Sequence, residues 1–233
     1  MKKALGALAI ATALSACSSG GNSNPVLSAI WQKVKPGARR EAQAAAAEAA
    51  ARPPIVVTFD KIKDTGLAII RARVGQEGDG VMLYGRAVND TYVTFASQLM
   101  QTMTLQGSLI TATRAISYDM LALRTDEGDP VTVLTPPEEW QGTVTRDYHF
   151  TGDTPEGMVI SVTCRFEKGP KNELELLDKT FDTTIMKVHC AGDGVRFTNF
   201  HMVQADGQIL TSAQWLGPDQ GMVEIDILEP FIP

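Results

Sequence analysis

The chain has 233 residues, of which 44% are hydrophobic, 21% charged and 6% aromatic, and its formal net charge is −6. That is enough apolar content for a packed globular core, and enough length for one large domain or two small ones. An acidic chain with no Lys/Arg cluster excludes a nucleic-acid binder, because phosphate contacts need clustered positive charge, and argues against broad docking on anionic lipid headgroups.

At the start of the chain, Lys2-Lys3 precede an apolar run from Ala4 to Leu14, followed by Leu14-Ser15-Ala16-Cys17. A basic start, a short apolar stretch and small residues before a Cys make the layout of a lipoprotein signal peptide. Residues 1–16 are expected to be removed, which takes the charge to −8, and Cys17 to be acylated. The apolar run is shorter than the roughly 20 residues a membrane-spanning helix needs. The expected attachment is therefore by lipid, with more than one acyl chain, since a single chain anchors only marginally. Ser18 follows the Cys where an Asp would favour inner-membrane retention. The expected location is the periplasmic face of the outer membrane.

Residues 17–36 read as a lipidated tether that opens with the polar stretch SSGGNSNP at 18–25. Residues 37–53 are Ala-rich and predict one short helix, which Pro53-Pro54 stops. Residues 54–233 predict an antiparallel β domain. Strands are expected near 55–60, 67–74, 81–88, 91–97, 102–105, 108–114, 130–134, 143–150, 158–168, 174–191 with a break near Asp182, 195–203, 208–216 and 222–228. The glycines at 75–80 mark a turn, and Asp193-Gly194 and Asp206-Gly207 are hairpin signals. Residues 115–125 predict a short helix or irregular crossing, and Pro136-Pro137 a joint between two β portions. The fold class is all-β, a large sandwich or barrel-like domain.

Cys17 aside, Cys164 and Cys190 remain. Cys164 shares a strand face with Met158, Ile160, Val162 and Phe166, and Cys190 shares one with Met186 and Val188. An oxidising compartment and an even remainder predict that the two form a disulfide, worth roughly 2–4 kcal/mol.

Catalytic signatures are missing. There is no G-x-S-x-G, H-E-x-x-H, P-loop or C-x-x-C. The spacing of His149, His189 and His201 favours no zinc site, and all three read as surface histidines. No metal and no cofactor are expected. Trp140, Tyr148, Phe197, Phe200 and Trp215 concentrate in the C-terminal half. Trp215 with Gln214 and Asn199 is a candidate glycan platform; the competing reading is a β core filled by large side chains.

Thr113-Arg114 at the end of a strand, then Arg146-Asp147-Tyr148, Cys164, Phe181-Asp182-Thr183, Cys190, Phe197-Thr198-Asn199 and Gln214-Trp215-Leu216-Gly217-Pro218 form an ordered series behind the lipobox. This series resembles the YjbF family of lipoproteins, related to the GfcB group 4 capsule lipoproteins, over roughly residues 55–230. Two positions depart from the family: Ala115 stands where Gly is expected after Thr-Arg, and Phe95 where a Trp is usual. The resemblance implies an all-β fold, a role in capsule or exopolysaccharide production or export, an outer-membrane β-barrel partner and a periplasmic companion protein. It carries over no catalytic residue. Two rival functions remain. One is a lipid- or glycan-binding carrier, whose lipid form needs an apolar cavity with few charges; the other is a glycan-modifying enzyme, which needs two carboxylates flanking a cleft.

Overall fold

The computed structural model describes residues 56–74, 80–116, 118–152 and 157–231. The signal peptide, Cys17, the tether, the helix expected at 37–53 and the turn at 75–79 lie outside them. Twelve strands form one antiparallel sheet: β1 (Ile69–Val74), β2 (Val81–Asn89), β3 (Tyr92–Ala96), β4 (Thr102–Gln106), β5 (Leu109–Arg114), β6 (Met120–Thr125), β7 (Thr143–Phe150), β8 (Met158–Leu176), β9 (Lys179–Gly192), β10 (Val195–Val203), β11 (Ile209–Gly217) and β12 (Gly221–Glu229). Consecutive strands are neighbours throughout, save that β1 pairs with β12 and the β5–β6 seam has no ladder. The result is a nearly closed, barrel-like sheet, so the all-β expectation holds and the barrel is the form it takes.

Side chains of one parity face inward along each strand, and the pairing of β1 with β12 curls the sheet so that this one face is buried throughout. Ile70 and Ala72, Met103 and Leu105, Ile160 and Val162, Met186 and Val188, and Val223, Ile225 and Ile227 all join the same buried core. Cys164 and Cys190 pair directly across β8 and β9, face inward and are joined as a disulfide. On the outer face Arg71 contacts Asp226 at 2.7 Å, and Arg73 contacts Asp226 at 2.9 Å and Glu224 at 3.0 Å. β12 thus turns Val223, Ile225 and Ile227 inward and Glu224 and Asp226 outward.

Five local expectations need correction. Instead of a strand at 55–60, a short helix α1 (Phe59–Lys63) follows Thr58, whose hydroxyl accepts from the Lys61 N–H. The capping side chain decides here against the β-branched run before it. Ile62 of α1 packs with Ile69, Leu210 and Leu228 on the outside of the sheet. Residues 120–125, part of the expected crossing, are strand β6, and 130–134 is no strand. Strand β9 runs unbroken through Asp182; the irregularity lies opposite, on β8 between Lys168 and Lys171, where Pro170 has no N–H to donate. Pro136-Pro137 separates no β portions, because one sheet contains all twelve strands; Pro137 begins a 3-10 turn.

Candidate functional site

One end of the barrel is crossed by the long β6–β7 connection, residues 126–142. It wedges between the β4–β5 and β10–β11 turns, which lie on opposite sides of the sheet order. The Ser108 N–H donates to the Val131 carbonyl at 3.0 Å. Gly107 (φ +57°) lies against the Thr132 backbone and Gly207 (φ +93°) against the Thr135 backbone, so closely that a Cβ at either would collide. These two glycines supply both the left-handed turn and the close approach. Trp140 anchors the far end of the crossing. Its indole N–H donates to the Thr135 carbonyl at 2.8 Å, and its ring meets Phe166 edge-on.

The crossing carries Asp129 into the core, where it meets Arg146 of β7. Both side chains are fully buried, with Nε to Oδ2 at 2.8 Å and Nη2 to Oδ1 at 3.0 Å. Burial by itself would raise the Asp129 carboxyl; the Arg146 charge and hydrogen bonds outweigh it and hold the carboxyl below its ordinary range. The same fork explains why 130–134 is not a strand: the Val131 N–H turns back to donate to Asp129 Oδ1 at 3.1 Å. Tyr148, Asn199 and His201 surround the pair, all buried. Arg146 Nη1, Asn199 Nδ2 and both His201 ring nitrogens find no hydrogen-bond partner among the described residues. No group in this cluster is more than 1% exposed, so it orders the core and offers nothing to a bulky substrate.

The candidate glycan platform is not an open surface. Gln214 is 2% exposed and reaches from β11 to the unpaired backbone of β5: its Oε1 accepts from the Ile110 N–H at 3.1 Å, and its Nε2 donates to the Ser108 carbonyl at 2.7 Å. Asn199 Oδ1 accepts from the Trp215 N–H at 2.9 Å, beside a register shift in the β11–β12 ladder. Trp215 stacks on Phe197 at 4.4 Å and meets Tyr148 edge-on at 5.0 Å. All three side chains serve the core. The surface reading of His201 also fails, since it is fully buried beside Trp140. His189 is partly exposed and sits between Thr198 and Glu167, each at 3.0 Å. Among the described residues no group of His, Cys, Asp and Glu is placed to hold a metal ion.

Beside the crossing the described residues leave the barrel end unfilled. A cavity of about 700 Å³ opens there. Its inner wall is Ile70, Phe95, Leu105, Ile209 and Ile227, one from each of five strands and all buried. Val133, Leu134 and Phe231 stand around it exposed. Asp90 and Asp206, on the β2–β3 and β10–β11 turns, are the only ionisable lining residues among those described. Both carboxylates are exposed, and Asp206 already accepts from the Gln208 N–H at 3.0 Å. No sequence motif announced this cavity; its wall residues read only as ordinary core positions of their strands.

The family model for the group 4 capsule polysaccharide lipoprotein GfcB/YjbF matches residues 33–228. The chain belongs to this family. Among solved structures, that of the hypothetical lipoprotein YmcC from Escherichia coli K12 superposes with a TM-score of 0.65 at 16% identity, covering 77% of this chain and 92% of that one. That likeness is one of fold. No curated protein sequence matches the chain. The residues that carried the family resemblance mostly do structural work in this barrel. Arg146, Tyr148, Asn199, Gln214 and Trp215 build its interior. Thr113-Arg114 closes the β5–β6 seam: the Met120 N–H donates to Thr113 Oγ1 at 3.0 Å, and Arg114 Nη1 donates to the Met120 carbonyl at 3.1 Å. Ala115, where the family resemblance calls for Gly, has φ +61°. Phe95, in place of the usual Trp, lines the cavity.

Proposed function

We propose that the chain is an outer-membrane-anchored lipoprotein that serves, without catalysing a reaction, as an accessory factor in capsule or exopolysaccharide production or export. Membership of the capsule lipoprotein family across residues 33–228 carries this reading. The lipobox ending at Cys17 supports the anchor, and Ser18 supports the outer membrane. The interior polar groups support a non-enzymatic role, since they are spent on the fold. The barrel is held at the periplasmic face, where an outer-membrane β-barrel and a periplasmic companion protein are its partners. Anchoring confines the encounter with such partners to the membrane surface and raises their effective concentration.

The test is an in-frame deletion complemented by wild-type or Cys17→Ala genes, with polysaccharide measured in medium, cell surface and periplasm. The expected result is a fall in surface polymer that wild type restores and Cys17→Ala does not, with the protein in the outer-membrane fraction. Unchanged polymer in all three pools overturns the role. Full export by a released Cys17→Ala protein overturns the need for the anchor.

A further inference from the structure

The cavity lies beside the β6–β7 crossing, between that connection and the inner faces of five strands. We propose that it binds a single acyl chain whose head group carries hydroxyls and no negative charge. The volume, about 700 Å³, lies within the range of about 300–1,000 Å³ usual for small-molecule sites. The inner wall of Ile70, Phe95, Leu105, Ile209 and Ile227 presents no side-chain hydrogen-bonding group. A sugar seated there would leave hydroxyls unpaired, whereas an alkyl chain loses nothing by leaving water. Around the opening, Val133 and Leu134 are 58% and 74% exposed and Phe231 is 39% exposed, so a guest would cover apolar surface that the barrel leaves wet.

The charge pattern selects the head group. Among the described residues the lining holds two carboxylates, Asp90 and Asp206, and no cationic side chain. A fatty acid or phospholipid phosphate would meet like charge with nothing to pair it. Thr91, Ser108, Thr132 and Gln208 lie in the same lining and can bond to hydroxyls. The site belongs to a strand framework, so the guest enters a pre-formed wall. The inference stands apart from the export role: either can fail alone.

The probe is N-phenyl-1-naphthylamine, a neutral fluorescent reporter, bound to the chain from residue 17 onward carrying Cys17→Ser and displaced by monoacylglycerols, fatty acids and alkylamines of matched length. Displacement by monoacylglycerols is expected to strengthen about fourfold per added methylene until the cavity is full, with the matched fatty acid about tenfold weaker at pH 8. Asp90→Asn, which an Asn tolerates at φ +56°, is expected to narrow that gap. Val93→Trp, on the cavity wall, fills the site and should abolish displacement. Should Val93→Trp fail to fold, Leu134→Asp at the exposed mouth gives the same information, with binding weakened about tenfold. No saturable displacement, no dependence on chain length, or binding indifferent to Leu134→Asp and Asp90→Asn overturns the proposal. Reporter uptake by the Cys17→Ser chain but not by the lipidated protein identifies the protein's own lipid as the guest; equal uptake by both identifies a separate membrane lipid. Either result supports an acyl-chain site.

Discussion

Replacing Ala115 by Gly should make the protein more stable, although Ala→Gly is normally destabilising. Ala115 has φ +61° and is exposed, with its N–H donating to Asp119 Oδ2 at 2.8 Å and the Ile116 N–H donating to Oδ1 at 3.1 Å. Those two bonds hold the turn at the β5–β6 seam and do not involve the methyl group. An L residue in the left-handed region costs about 1–2 kcal/mol, and Gly removes that cost. Against it stands the extra freedom of Gly in the unfolded chain, about 0.4–1 kcal/mol. The net gain is about 0.5–1 kcal/mol, or about 1–4 °C in melting temperature for a domain of this size. Thermal and urea melts of the Cys17→Ser chain with and without Ala115→Gly measure it. Ala122→Gly, within β6, is the control and should lose about 0.5–1 kcal/mol. If Ala115→Gly melts at or below the parent while Ala122→Gly behaves as stated, the left-handed conformation of Ala115 carries no cost that Gly relieves.

Three further outcomes follow from the interior. Burial, with the nearby Arg146 charge, pushes His201 down to about 3, whereas an unfolded imidazole titrates near 6.5. Below about pH 6.5 the unfolded chain gains a proton that the folded chain refuses, so stability falls by about 1.4 kcal/mol per pH unit down to about pH 3. Urea midpoints from pH 7.5 to 5 should show this slope, and His201→Gln should flatten it; an unchanged slope refutes the assignment. Asp129→Ala strands the Arg146 charge in the core and should cost about 3–5 kcal/mol in urea unfolding, with a loss under about 1 kcal/mol contradicting the buried pair. Because the Asp129 carboxyl is held low, the contribution of the intact pair is present above the ordinary carboxylate range and fades as pH falls through the folded value. Reducing the Cys164–Cys190 disulfide, or replacing both with Ala, opens a link across 26 residues and should cost about 2–4 kcal/mol; equal denaturation midpoints with and without reductant would show that the bridge contributes nothing.

Strand alternation was legible because it is local: a period of two shows in any short window. It gave β7 and β10 their full extents and set Cys164 and Cys190 on apolar faces. The turn signals at Asp193-Gly194 and Asp206-Gly207 mark real hairpins for the same reason, since a tight turn is settled by its own few residues. The ordered motif series likewise identified the family. The same locality misled where a distant partner intervened. Val131 and Val133 look like strand residues, but Asp129 is drawn to Arg146, 17 positions away, and the backbone turns with it. His201 and Asn199 alternate with partly exposed neighbours and look like surface groups. Only closure of the barrel reveals that their parity faces inward, and that Gln214 spans the interior to β5. The cavity was the least visible feature, since its wall takes one residue from each of five strands. The sequence by itself determined the β class, most of the strands and the family. Whether those strands would form a sandwich or a barrel, and which polar side chains that choice would bury, depended on contacts between residues more than a hundred positions apart, such as the pairing of β1 with β12, which no local pattern encodes.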